Sequence, residues 1–297
     1  MRAQTTGTRR TTVARVKYGD GLGVVTVTYS PGETLAPFVD TLAKATTRSV
    51  QVILADNGST DGVPEQVAAE REHVRFVPTG GNLGYGGGAN RGVEALGQDV
   101  GWVLISNPDI EFAPGSVDTL IEAAGRWPRG GMFGPLIREP NGEIYPSARL
   151  LPSIGRGLGH AVFGAFWKSN PWTRAYRQEK TPVERTAGWL SGSCFLMRRE
   201  AFDSVKGFDE RYFMYFEDVD LGERVGKAGW LNVYVPDAEV THIGGHSTAR
   251  SSDRMLREHH RSAYLYLADR HQGVLWAPFR LLIKAGLTLR VKLLTRG

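Results

Sequence analysis

Short apolar runs alternate with helical patterns along the first hundred residues, and this alternation constrains the fold more than any other feature. Runs at 22–28, 50–55, 74–77 and 102–105 are rich in β-branched and apolar residues, as strands buried on both faces are. Helical spacing of apolar residues follows the first run, at 35–45. Strands that alternate with helices over short connections predict an α/β fold with a mostly parallel sheet covered by helices.

Polar residues follow three of these predicted strands. Asp56 closes the second strand, Asn82 follows the third among glycines, and Asp109 follows the fourth after an Asn-Pro break. Turns at one edge of a parallel sheet converge on a single crevice, where open α/β sheets bind ligands. Since hard oxygen ligands suit Mg²⁺ and Mn²⁺, Asp109 is a candidate for holding a cation against a diphosphate. Asp56 can also cap the turn that follows it.

The glycine cluster at 80–92 contains a dinucleotide-type match, G-x-G-x-x-A, at 84–89. The match follows the third predicted strand instead of the first, and no acidic strand end comes about 20 positions later, so a dehydrogenase is rejected. A P-loop is excluded because G-x-x-x-x-G-K-[ST] does not occur. The cluster is expected to let the backbone approach a nucleotide closely and to lead into a helix at 89–96.

The middle of the chain holds two further candidate regions. Residues 149–184 lose clear periodicity, which is typical of a binding loop or lid on the acceptor side. A strand is predicted at 189–197, and the small residues at 191–193 inside it would let a second substrate approach the sheet. A β-bulge is the alternative interpretation of those small residues.

Acidic residues are interleaved with aromatic residues at 207–221. Glu217, Asp218 and Asp220 come just before a predicted helix, so they are expected at or near its N-terminus, where the helix dipole favours ionised carboxylates. Capping of that helix explains one carboxylate well and three poorly. A carboxylate in an aromatic surround can act as a general base.

A histidine follows the strand predicted at 231–235. A lone histidine is more often structural, but His242 comes after a strand end and can complete a divalent-metal site with Asp109. Cys194 is the single cysteine and has no internal disulfide partner.

The net charge of +5 comes from the two ends of the chain. Residues 1–17 and 271–297 hold ten basic and no acidic side chains, which leaves 26 basic against 31 acidic residues between them. Nucleic-acid-binding proteins more often carry their positive charge on the folded body, so no nucleic acid partner is expected. Basic ends on an acidic body favour an anionic membrane surface, and residues 1–20 are expected to be a disordered basic tail.

The C-terminal segment, 251–297, is predicted to be helical, basic and amphipathic. Apolar residues that can share one helical face are Leu275, Trp276, Phe279, Leu282, Ile283 and Leu287. Such a helix is typical of a segment that lies on a membrane surface. The alternative is a helix docked on the domain, or on a second subunit of a homodimer. A membrane-spanning helix is not expected, because no run of about 18 apolar residues occurs.

An ordered set of blocks resembles the family 2 glycosyltransferases. The blocks are Val-Thr-Tyr-Ser at 27–30, Ala-Asp-Asn-Gly-Ser-Thr-Asp-Gly at 55–62, Gly-Asn-Leu-Gly-Tyr at 81–85, Asn-Pro-Asp at 107–109, Gly-Phe-Asp-Glu at 207–210, Glu-Asp-Val-Asp-Leu at 217–221, and His242. The resemblance implies the GT-A fold, a Rossmann-like sheet, in a domain at 21–250. The family's D-x-D metal motif is Asn-Pro-Asp here, so Asp109 is its one charged ligand.

Further stretches at 145–149, 188–194 and 211–215 resemble the rhamnosyltransferases of actinobacterial cell-wall synthesis within that family. This resemblance implies inverting transfer of L-rhamnose from dTDP-rhamnose to N-acetylglucosaminyl-diphospho-decaprenol, which forms the linker of arabinogalactan. It implies Mg²⁺ or Mn²⁺ as cofactor and a peripheral location at the cytoplasmic face of the plasma membrane. A donor based on UDP or GDP stays open, because no single residue separates these nucleotides.

The resemblance also implies a role for each site residue. Asp218 is the expected catalytic base, Glu217 is the second choice, and Asp109 with His242 holds the metal. The expected contacts to the nucleotide sugar are Thr28, Tyr29, Asp56, Asn57, Asn82, Gly84, Asn107 and Asp109. The expected contacts to the acceptor are Arg149, Trp189, Ser191, Gly192 and Asp220.

Two rival functions have weaker support in the sequence. A nucleotidyltransferase would share the α/β layout but should carry a basic glycine-rich loop near the first strand, and the turn at 29–32 has no Lys or Arg. A carbohydrate-binding protein with a degenerate site would not need Asp109, Asp218 and His242 together. Hydrolysis of a donor would exclude this second rival.

Overall fold

The computed structural model describes residues 18–152, 182–244 and 252–294 of the 297-residue chain. Most of the basic tail predicted at 1–20 and most of the irregular loop predicted at 149–184 therefore lie outside the described residues. At the described end of the tail, the hydroxyl of Tyr18 donates a hydrogen bond to Asp203, 2.6 Å away.

Strands and helices alternate through the first half of the chain, as the sequence predicts. The strands are β1 (Gly21–Thr28), β2 (Val50–Asp56), β3 (Val74–Pro78), β4 (Val100–Ser106), β5 (Ile110–Phe112), β6 (Gly130–Arg138), β7 (Ile144–Tyr145), β8 (Ala148–Arg149), β9 (Arg185–Ala187), β10 (Trp189–Leu190), β11 (Cys194–Arg198) and β12 (Leu231–His242). The helices are α1 (Leu35–Ala45), α2 (Val63–Ala69), α3 (Gly84–Glu94), α4 (Ser116–Arg126), α5 (Arg199–Ser204), α6 (Glu217–Lys227), α7 (Ser252–Arg270) and α8 (Ala277–Leu294).

The central sheet has the order β3-β2-β1-β4-β11-β6-β12-β5. Strands β3, β2, β1 and β4 are parallel, as are β6 and β12, whereas β11 is antiparallel to both of its neighbours. Short strands β5 and β9 pair antiparallel with β12, β7 pairs with β6, and β8 pairs with β10 in a separate ladder. The predicted α/β class with a helix-covered sheet is confirmed, and the antiparallel strands all come after β4 in the chain.

Both faces of the central strands β1, β2 and β4 are largely buried, which explains the apolar runs in their sequences. Alternate residues of β1 face opposite cores, because successive side chains of a strand point to opposite faces. Val24 packs in the core that holds α1 and α4, and Val25 packs in the core that holds α3. Because β1 pairs in parallel with both β2 and β4, the carboxyl ends of these three strands lie at one edge of the sheet, with β1 in the middle.

Helix α3 begins inside the glycine cluster, so the predicted start at residue 89 is wrong. Its glycines allow close packing on the sheet: a Cβ at Gly92 would lie 2.3 Å from Cγ1 of Val25, and one at Gly88 would lie 2.8 Å from Cγ1 of Val27. Gly84 has a φ of +76°, and a Cβ there would overlap the carbonyl of Phe213. The glycines allow α3 to pack closely on the sheet. Because glycine has a low helix propensity, the sequence does not reveal that the helix begins among them.

Two strand predictions need correction. The strand predicted at 189–197 is divided into β10 and β11, and residues 191–193 leave the sheet as a turn. Ser191 is buried in this turn, with its hydroxyl 3.2 Å from that of Ser193. Strand β12 is longer than predicted and ends at His242, because residues 239–241 continue the pairing with β6 after an irregularity. The hairpin predicted at Asn141-Gly142 is confirmed between β6 and β7.

The C-terminal segment forms two helices, α7 on the body of the protein and α8 on α7. The apolar face predicted for α8 is divided in the structure. Phe279, Ile283 and Leu287 are half-buried, whereas leucines on other positions are exposed. Within the described ranges, no helix is both long and apolar enough to span a bilayer.

Candidate active site

The carboxylate of Asp56 lies at the end of β2 and accepts hydrogen bonds on both oxygens. Oδ1 accepts the hydroxyls of Thr28, at 2.7 Å, and of Ser59. Oδ2 accepts the backbone N–H groups of Gly58, at 3.0 Å, and of Ser59, at 2.9 Å. The turn-capping role is therefore present, and the carboxylate has a fixed orientation before any ligand arrives.

Two asparagines hold the start of α3 beside Asp56. Asn57 donates through Nδ2 to the carbonyl of Gly84 at 2.9 Å, and its Oδ1 accepts the hydroxyl of Thr79 at 2.9 Å. Asn82 accepts the N–H of Gly84 at 3.1 Å. Tyr29 comes directly after β1 at the same edge and is 51% exposed, so it offers an open aromatic ring to a ligand.

Asp109 and His242, the two predicted metal ligands, lie side by side. The antiparallel pairing of β5 with β12 places Ile110 opposite His242, and the N–H of Ile243 donates to the carbonyl of Asp109 at 2.9 Å. Oδ1 of Asp109 is buried and lies 3.1 Å from Nε2 of His242, and no other described group donates a hydrogen bond to it. Burial by itself lowers the pKa of His242, but the adjoining carboxylate more than reverses this, so the pKa is raised.

Helix α6 begins with the predicted acidic residues. Glu217, Asp218 and Asp220 lie in its first turn, which confirms their placement at a helix N-terminus. The two residues before them, Tyr215 and Phe216, have φ of +67° and +65°. Residues other than glycine rarely adopt this backbone conformation, and each such residue lowers the stability by about 1–3 kcal/mol. We call residues 215–218 the acid turn.

The two carboxylates of the acid turn have different surroundings. Asp218 accepts the N–H of Gly192 on Oδ2 at 2.9 Å and the N–H of Val219 on Oδ1 at 2.8 Å, whereas Oε2 of Glu217 is buried without a partner. Burial raises the pKa of Glu217, and the charge of Asp218 raises it further. Burial also raises the pKa of Asp218, and its N–H donors and the guanidinium of Arg149 oppose this effect without cancelling it, so the pKa stays raised.

The turn at 191–193 connects the acid turn to the end of β4. The N–H of Asn107 donates to the carbonyl of Ser193 at 2.9 Å, and the hydroxyl of Tyr85 donates to the carbonyl of Gly192. Burial raises the pKa of the Tyr85 phenol, and nearby carboxylates raise it further, namely Glu217, Asp218 and Asp109. The acid turn and the predicted metal ligand therefore surround one buried phenol.

Of the predicted acceptor contacts, Arg149 and Trp189 lie against each other. The Arg149 guanidinium carbon is 5.4 Å from the ring centroid of Trp189 and 5.3 Å from that of Tyr145, within cation–π range. Asp220 has a structural partner, because its Oδ2 accepts Nε of Arg224 at 2.6 Å. The acceptor contact of Asp220 stays a prediction, and the structure adds a role in fastening α6.

The family follows from a match to residues 23–206, which carry Asp56, Asp109 and the turn at 191–193. The matching family model is described as Glycosyl transferase family 2, and a second model, Glycosyltransferase like family 2, matches residues 176–264. The chain belongs to glycosyl transferase family 2. The resemblance in the motif blocks is thereby confirmed.

This glycosyltransferase is 56% identical over 288 residues to the N-acetylglucosaminyl-diphospho-decaprenol L-rhamnosyltransferase of Mycobacterium tuberculosis (strain H37Rv), with 94% of each chain covered. Among solved structures it resembles the mannosyltransferase PcManGT from Pyrobaculum calidifontis in complex with GDP-Man and Mn²⁺. The TM-score is 0.59 at 15% identity, with 92% of this chain and 70% of that chain covered.

The glycosyltransferase also resembles GalNAc-T7, solved with UDP, GalNAc and Mn²⁺, at a TM-score of 0.57 and 16% identity. The match covers 80% of this chain, which spans about half, 48%, of the GalNAc-T7 chain. At such low identity these two likenesses establish the fold, which is GT-A as the sequence predicts.

The residues at Asp109 fit a divalent cation. The buried Oδ1 of Asp109 has no described partner other than the imidazole nitrogen of His242 beside it, and both atoms are ligands that Mn²⁺ accepts. Across the described parts of the chain, no three or more His, Cys, Asp or Glu side chains gather as a complete metal cage. A site with few protein ligands suits a cation that keeps water and takes phosphate oxygens.

Sequence reasoning did not assign three features of this glycosyltransferase site. Tyr85 is in a motif block, but its link to Gly192 depends on contact between residues 107 positions apart. The left-handed backbone at Tyr215 and Phe216 has no signal in their residue types. The contacts that α7 makes with the acid turn were also missed, although the alternation of aromatic and acidic residues marked that stretch as unusual.

Proposed function

We propose that this glycosyltransferase transfers L-rhamnose from dTDP-rhamnose to an N-acetylglucosamine carried on a polyprenyl diphosphate such as decaprenyl diphosphate. The observation that carries the proposal is the 56% identity over 94% of both chains to a relative whose name states that acceptor and that sugar. The geometry supports it, because the carboxylates predicted for donor, metal and base lie at the carboxyl edge of the sheet and at the acid turn beside it.

The donor nucleotide lies along the carboxyl edge of β2, β1 and β4. Thr28 is opposite Asp56 in the pairing of β1 with β2, and Ser106 is opposite Thr26 in the pairing of β1 with β4. Two strand spacings, about 10 Å, therefore separate the ends of β2 and β4. The base or ribose lies at Asp56, with the ring of Tyr29 exposed next to it, and the diphosphate lies toward Asp109.

Asp109 and His242 hold a divalent cation, Mg²⁺ or Mn²⁺, against the diphosphate. A cation bound there supplies Lewis-acid stabilisation of the negative charge on the departing nucleoside diphosphate. Asn107 stands at the same strand end, where its N–H fixes the turn at 191–193. The Asn-Pro-Asp sequence thus supplies Asp109 as the one charged metal ligand and the N–H of Asn107 as a hydrogen-bond donor to the turn at 191–193.

Asp218 is the general base. Burial raises the pKa of both carboxyls, but two N–H donors and Arg149 favour the ionised form of Asp218, whereas Glu217 has an unpartnered oxygen and the charge of Asp218 raises its pKa further. Pairs of carboxyls whose surroundings separate their pKa values take different roles, one ionised and one protonated. The ionised member is the one that can accept a proton from the acceptor hydroxyl.

The reaction is a single displacement that inverts the anomeric centre. The acceptor hydroxyl oxygen forms a bond to the anomeric carbon of rhamnose while the bond from that carbon to the diphosphate oxygen breaks. The hydroxyl proton goes to Asp218, and dTDP leaves with the bonding electrons. Gly192 holds the base in place through its N–H, and the lack of a side chain leaves room beside it, since a Cβ there would lie 3.5 Å from Oδ2 of Asp218.

The lipid acceptor enters from the side of β8 and β10. Arg149, between Tyr145 and Trp189, offers a guanidinium near the base, and guanidinium pairs well with phosphate oxygens. We assign it to the diphosphate of the acceptor. Ser191 and Gly192 border the same approach, which agrees with their predicted role.

We assign the protein to the cytoplasmic face of the membrane, where it would meet the lipid acceptor, with helix α8 as the part that contacts the bilayer. Exposed leucines on α8 and the preceding turn are Leu275 at 95%, Leu282 at 74% and Leu281 at 68%. Lys284 and Lys292 lie along the same surface. Exposed apolar residues bordered by lysines are typical of a helix in the interface of an anionic bilayer.

Co-sedimentation with phosphatidylglycerol vesicles tests this membrane assignment. Leu281→Ser with Leu289→Ser should reduce the bound fraction, as should a chain that ends at Arg270. The matched control is Leu150→Ser, which changes an exposed leucine outside α8. Undiminished binding by both α8 variants would contradict the assignment, and self-association through α8 would instead show as a larger mass in light scattering.

The proposed reaction is tested with a synthetic N-acetylglucosaminyl diphospho-polyprenol and three donors, dTDP-rhamnose, UDP-galactose and GDP-mannose. Mass spectrometry of the lipid product should show one added deoxyhexose from dTDP-rhamnose and no transfer of hexose from the others. Transfer from UDP-galactose or GDP-mannose alone would keep the fold and the base but contradict the donor.

A further inference from the structure

The backbone just before the two carboxylates of the acid turn is strained. Tyr215 and Phe216 both have left-handed φ values, +67° and +65°, immediately before Glu217 and Asp218. Such a conformation persists only where the surrounding structure determines it. If the strain relaxed, helix α6 would start differently and the carboxylates would move.

Helix α7 supplies the contacts that hold this backbone. The hydroxyl of Ser262, which is 2% exposed, donates to the carbonyl of Met214 at 2.8 Å. The ring of His259 lies edge-on to those of Tyr215 and Phe216, with centroids 5.3 Å and 5.6 Å away. These contacts reach the residue before the strained pair and both members of it.

A third residue of α7 completes the contact surface. The ring of Tyr266 packs on Phe216 at a centroid distance of 5.4 Å, and Tyr266 is 2% exposed. His259, Ser262 and Tyr266 are spaced three and four residues apart, so they share one face of the helix. That face is turned to the acid turn.

Ion pairs fix α7 on both sides of these contacts. Arg211, just before the strained segment, pairs with Asp269 at 2.7 Å. Arg270 pairs with Glu223, which lies on the same helix as the carboxylates. Helix α7 therefore bridges the segment that enters the acid turn and the helix that leaves it.

We propose that His259, Ser262 and Tyr266 are positioning residues for the Glu217-Asp218 pair, and that α7 is part of the catalytic machinery as well as the support of α8. The inference rests on the proposed function, because it concerns the same base. None of the three side chains touches the reacting atoms. They act by holding the backbone that aims Asp218.

The physical reason for the aromatic contact is packing, not charge. His259 is an exposed residue, but the partial burial of its ring lowers its pKa, and His260 and Arg290 lower it further, which favours the neutral form in this packing. A phenylalanine at this position should therefore preserve the contact with Tyr215 and Phe216. An alanine should remove it.

The first test compares His259→Ala with His259→Phe in the full-length protein. Misplacing a catalytic group by about 1 Å can cost on the order of 100-fold, so His259→Ala should lower kcat about 10–100-fold while the donor KM stays within about twofold. His259→Phe should restore most of kcat. Wild-type kcat in the alanine variant, or failure of the phenylalanine variant to rescue, would overturn the proposal.

A second variant removes a single hydroxyl. Ser262→Ala leaves the carbonyl of Met214 without its donor and should lower kcat about tenfold by the same misplacement. Ser204→Ala is the matched control, because its hydroxyl bonds within its own helix, to the carbonyl of Ala201 at 2.7 Å. Equal kcat values for the two serine variants would contradict the role of Ser262.

A measurement without turnover separates this inference from the proposed function. Amide hydrogen exchange of residues 215–220 should be about tenfold faster in His259→Ala and Ser262→Ala than in wild type, with an unchanged Tm, because the local opening is easier. Unchanged exchange there would overturn the positioning role. Failure of the wild-type protein to transfer rhamnose would instead contradict the proposed function and leave the exchange result to decide this inference.

Discussion

The loop at Asp56 and the acid turn are built on opposite principles. At Asp56 every carboxylate oxygen has hydrogen-bond donors, and the left-handed positions within its own loop, residues 56–62, are glycines, Gly58 and Gly62. In the acid turn the left-handed positions are aromatic residues, and Glu217 has a buried oxygen without a partner. The polar groups of the first region are paired with one another, whereas the second region has a strained backbone and an unpaired polar oxygen.

The difference shows which part of the site is stable and which part is reactive. Hydrogen-bond donors within a few residues and on the adjacent strand fix the Asp56 carboxylate. The carboxyl edge of β2, β1 and β4, which we call the donor edge because it is proposed to bind the sugar donor, is therefore complete before the nucleotide binds. The acid turn depends on Gly192, 26 residues before Asp218, and on Ser262, 48 residues after Met214. Substitutions at the donor edge should therefore lower the free energy of unfolding, whereas substitutions in the acid turn should lower kcat.

The largest effect is expected for Asp218→Asn. Loss of proton transfer in the transition state typically costs about 10²–10⁴-fold, so kcat should fall by that factor while the Tm hardly changes. Steady-state transfer from dTDP-rhamnose measures it. If Asp218→Asn kept most of kcat while Glu217→Gln lost it, the base would be Glu217.

Next in size is the effect of Asp109→Asn on metal. Loss of the one charged ligand should weaken Mn²⁺ affinity at least as much as loss of an outer partner, about 10–100-fold. Titration of Mn²⁺ in the presence of dTDP, followed by thermal denaturation, measures this affinity. The control is Glu111→Gln, two residues away on β5. An unchanged Mn²⁺ affinity in Asp109→Asn would place the cation elsewhere.

At the donor edge, Asp56→Ala should destabilise the fold by about 1–3 kcal/mol. The reason is that two backbone N–H groups and the hydroxyl of Thr28 lose their acceptor. Urea denaturation measures the change. Asp237→Ala, at an exposed position, should stay within about 0.5 kcal/mol of wild type. If Asp56→Ala left the free energy of unfolding unchanged, the contrast between the two regions would not hold.

The last effect concerns Glu217 and the dependence of stability on pH. Its raised pKa means that the folded protein keeps a proton that the unfolded chain has lost, so its contribution to stability is present at low pH and disappears as pH rises to the folded pKa. Between about pH 5 and about pH 8, stability should therefore fall less in Glu217→Gln than in wild type. Parallel Tm curves for the two proteins would show that Glu217 ionises normally.

Local patterns in the sequence were sufficient for the donor edge. Helix α1 has the predicted bounds, and Asp56, Asn82 and Asp109 follow successive parallel strands, because each of these features depends on periodicity and turn chemistry. Helix α3 starts five residues earlier than predicted because its glycines pack on Val25 and Val27. That contact is tertiary, and helix propensity gives no sign of it.

The acid turn was located from the sequence, but its geometry was not. The spacing of Glu217, Asp218 and Asp220 correctly predicted a helix N-terminus. The break in the strand predicted at 189–197 arises because Gly192 and Ser193 bond to Asp218 and Asn107, which are distant in sequence. The apolar face predicted for α8 was divided because half of it packs on α7, a contact that one helix's pattern cannot reveal.

The most direct test of the central claim is thermal denaturation of the protein with dTDP, UDP and GDP, each with and without Mn²⁺. A nucleotide at 100 times its Kd should stabilise the fold by about 2.7 kcal/mol, which a melting curve resolves. The largest increase in Tm is expected with dTDP. Mn²⁺ should raise this increase further in the wild-type protein but not in Asp109→Asn. A larger shift with UDP or GDP, or no shift with any nucleotide, would contradict this expectation.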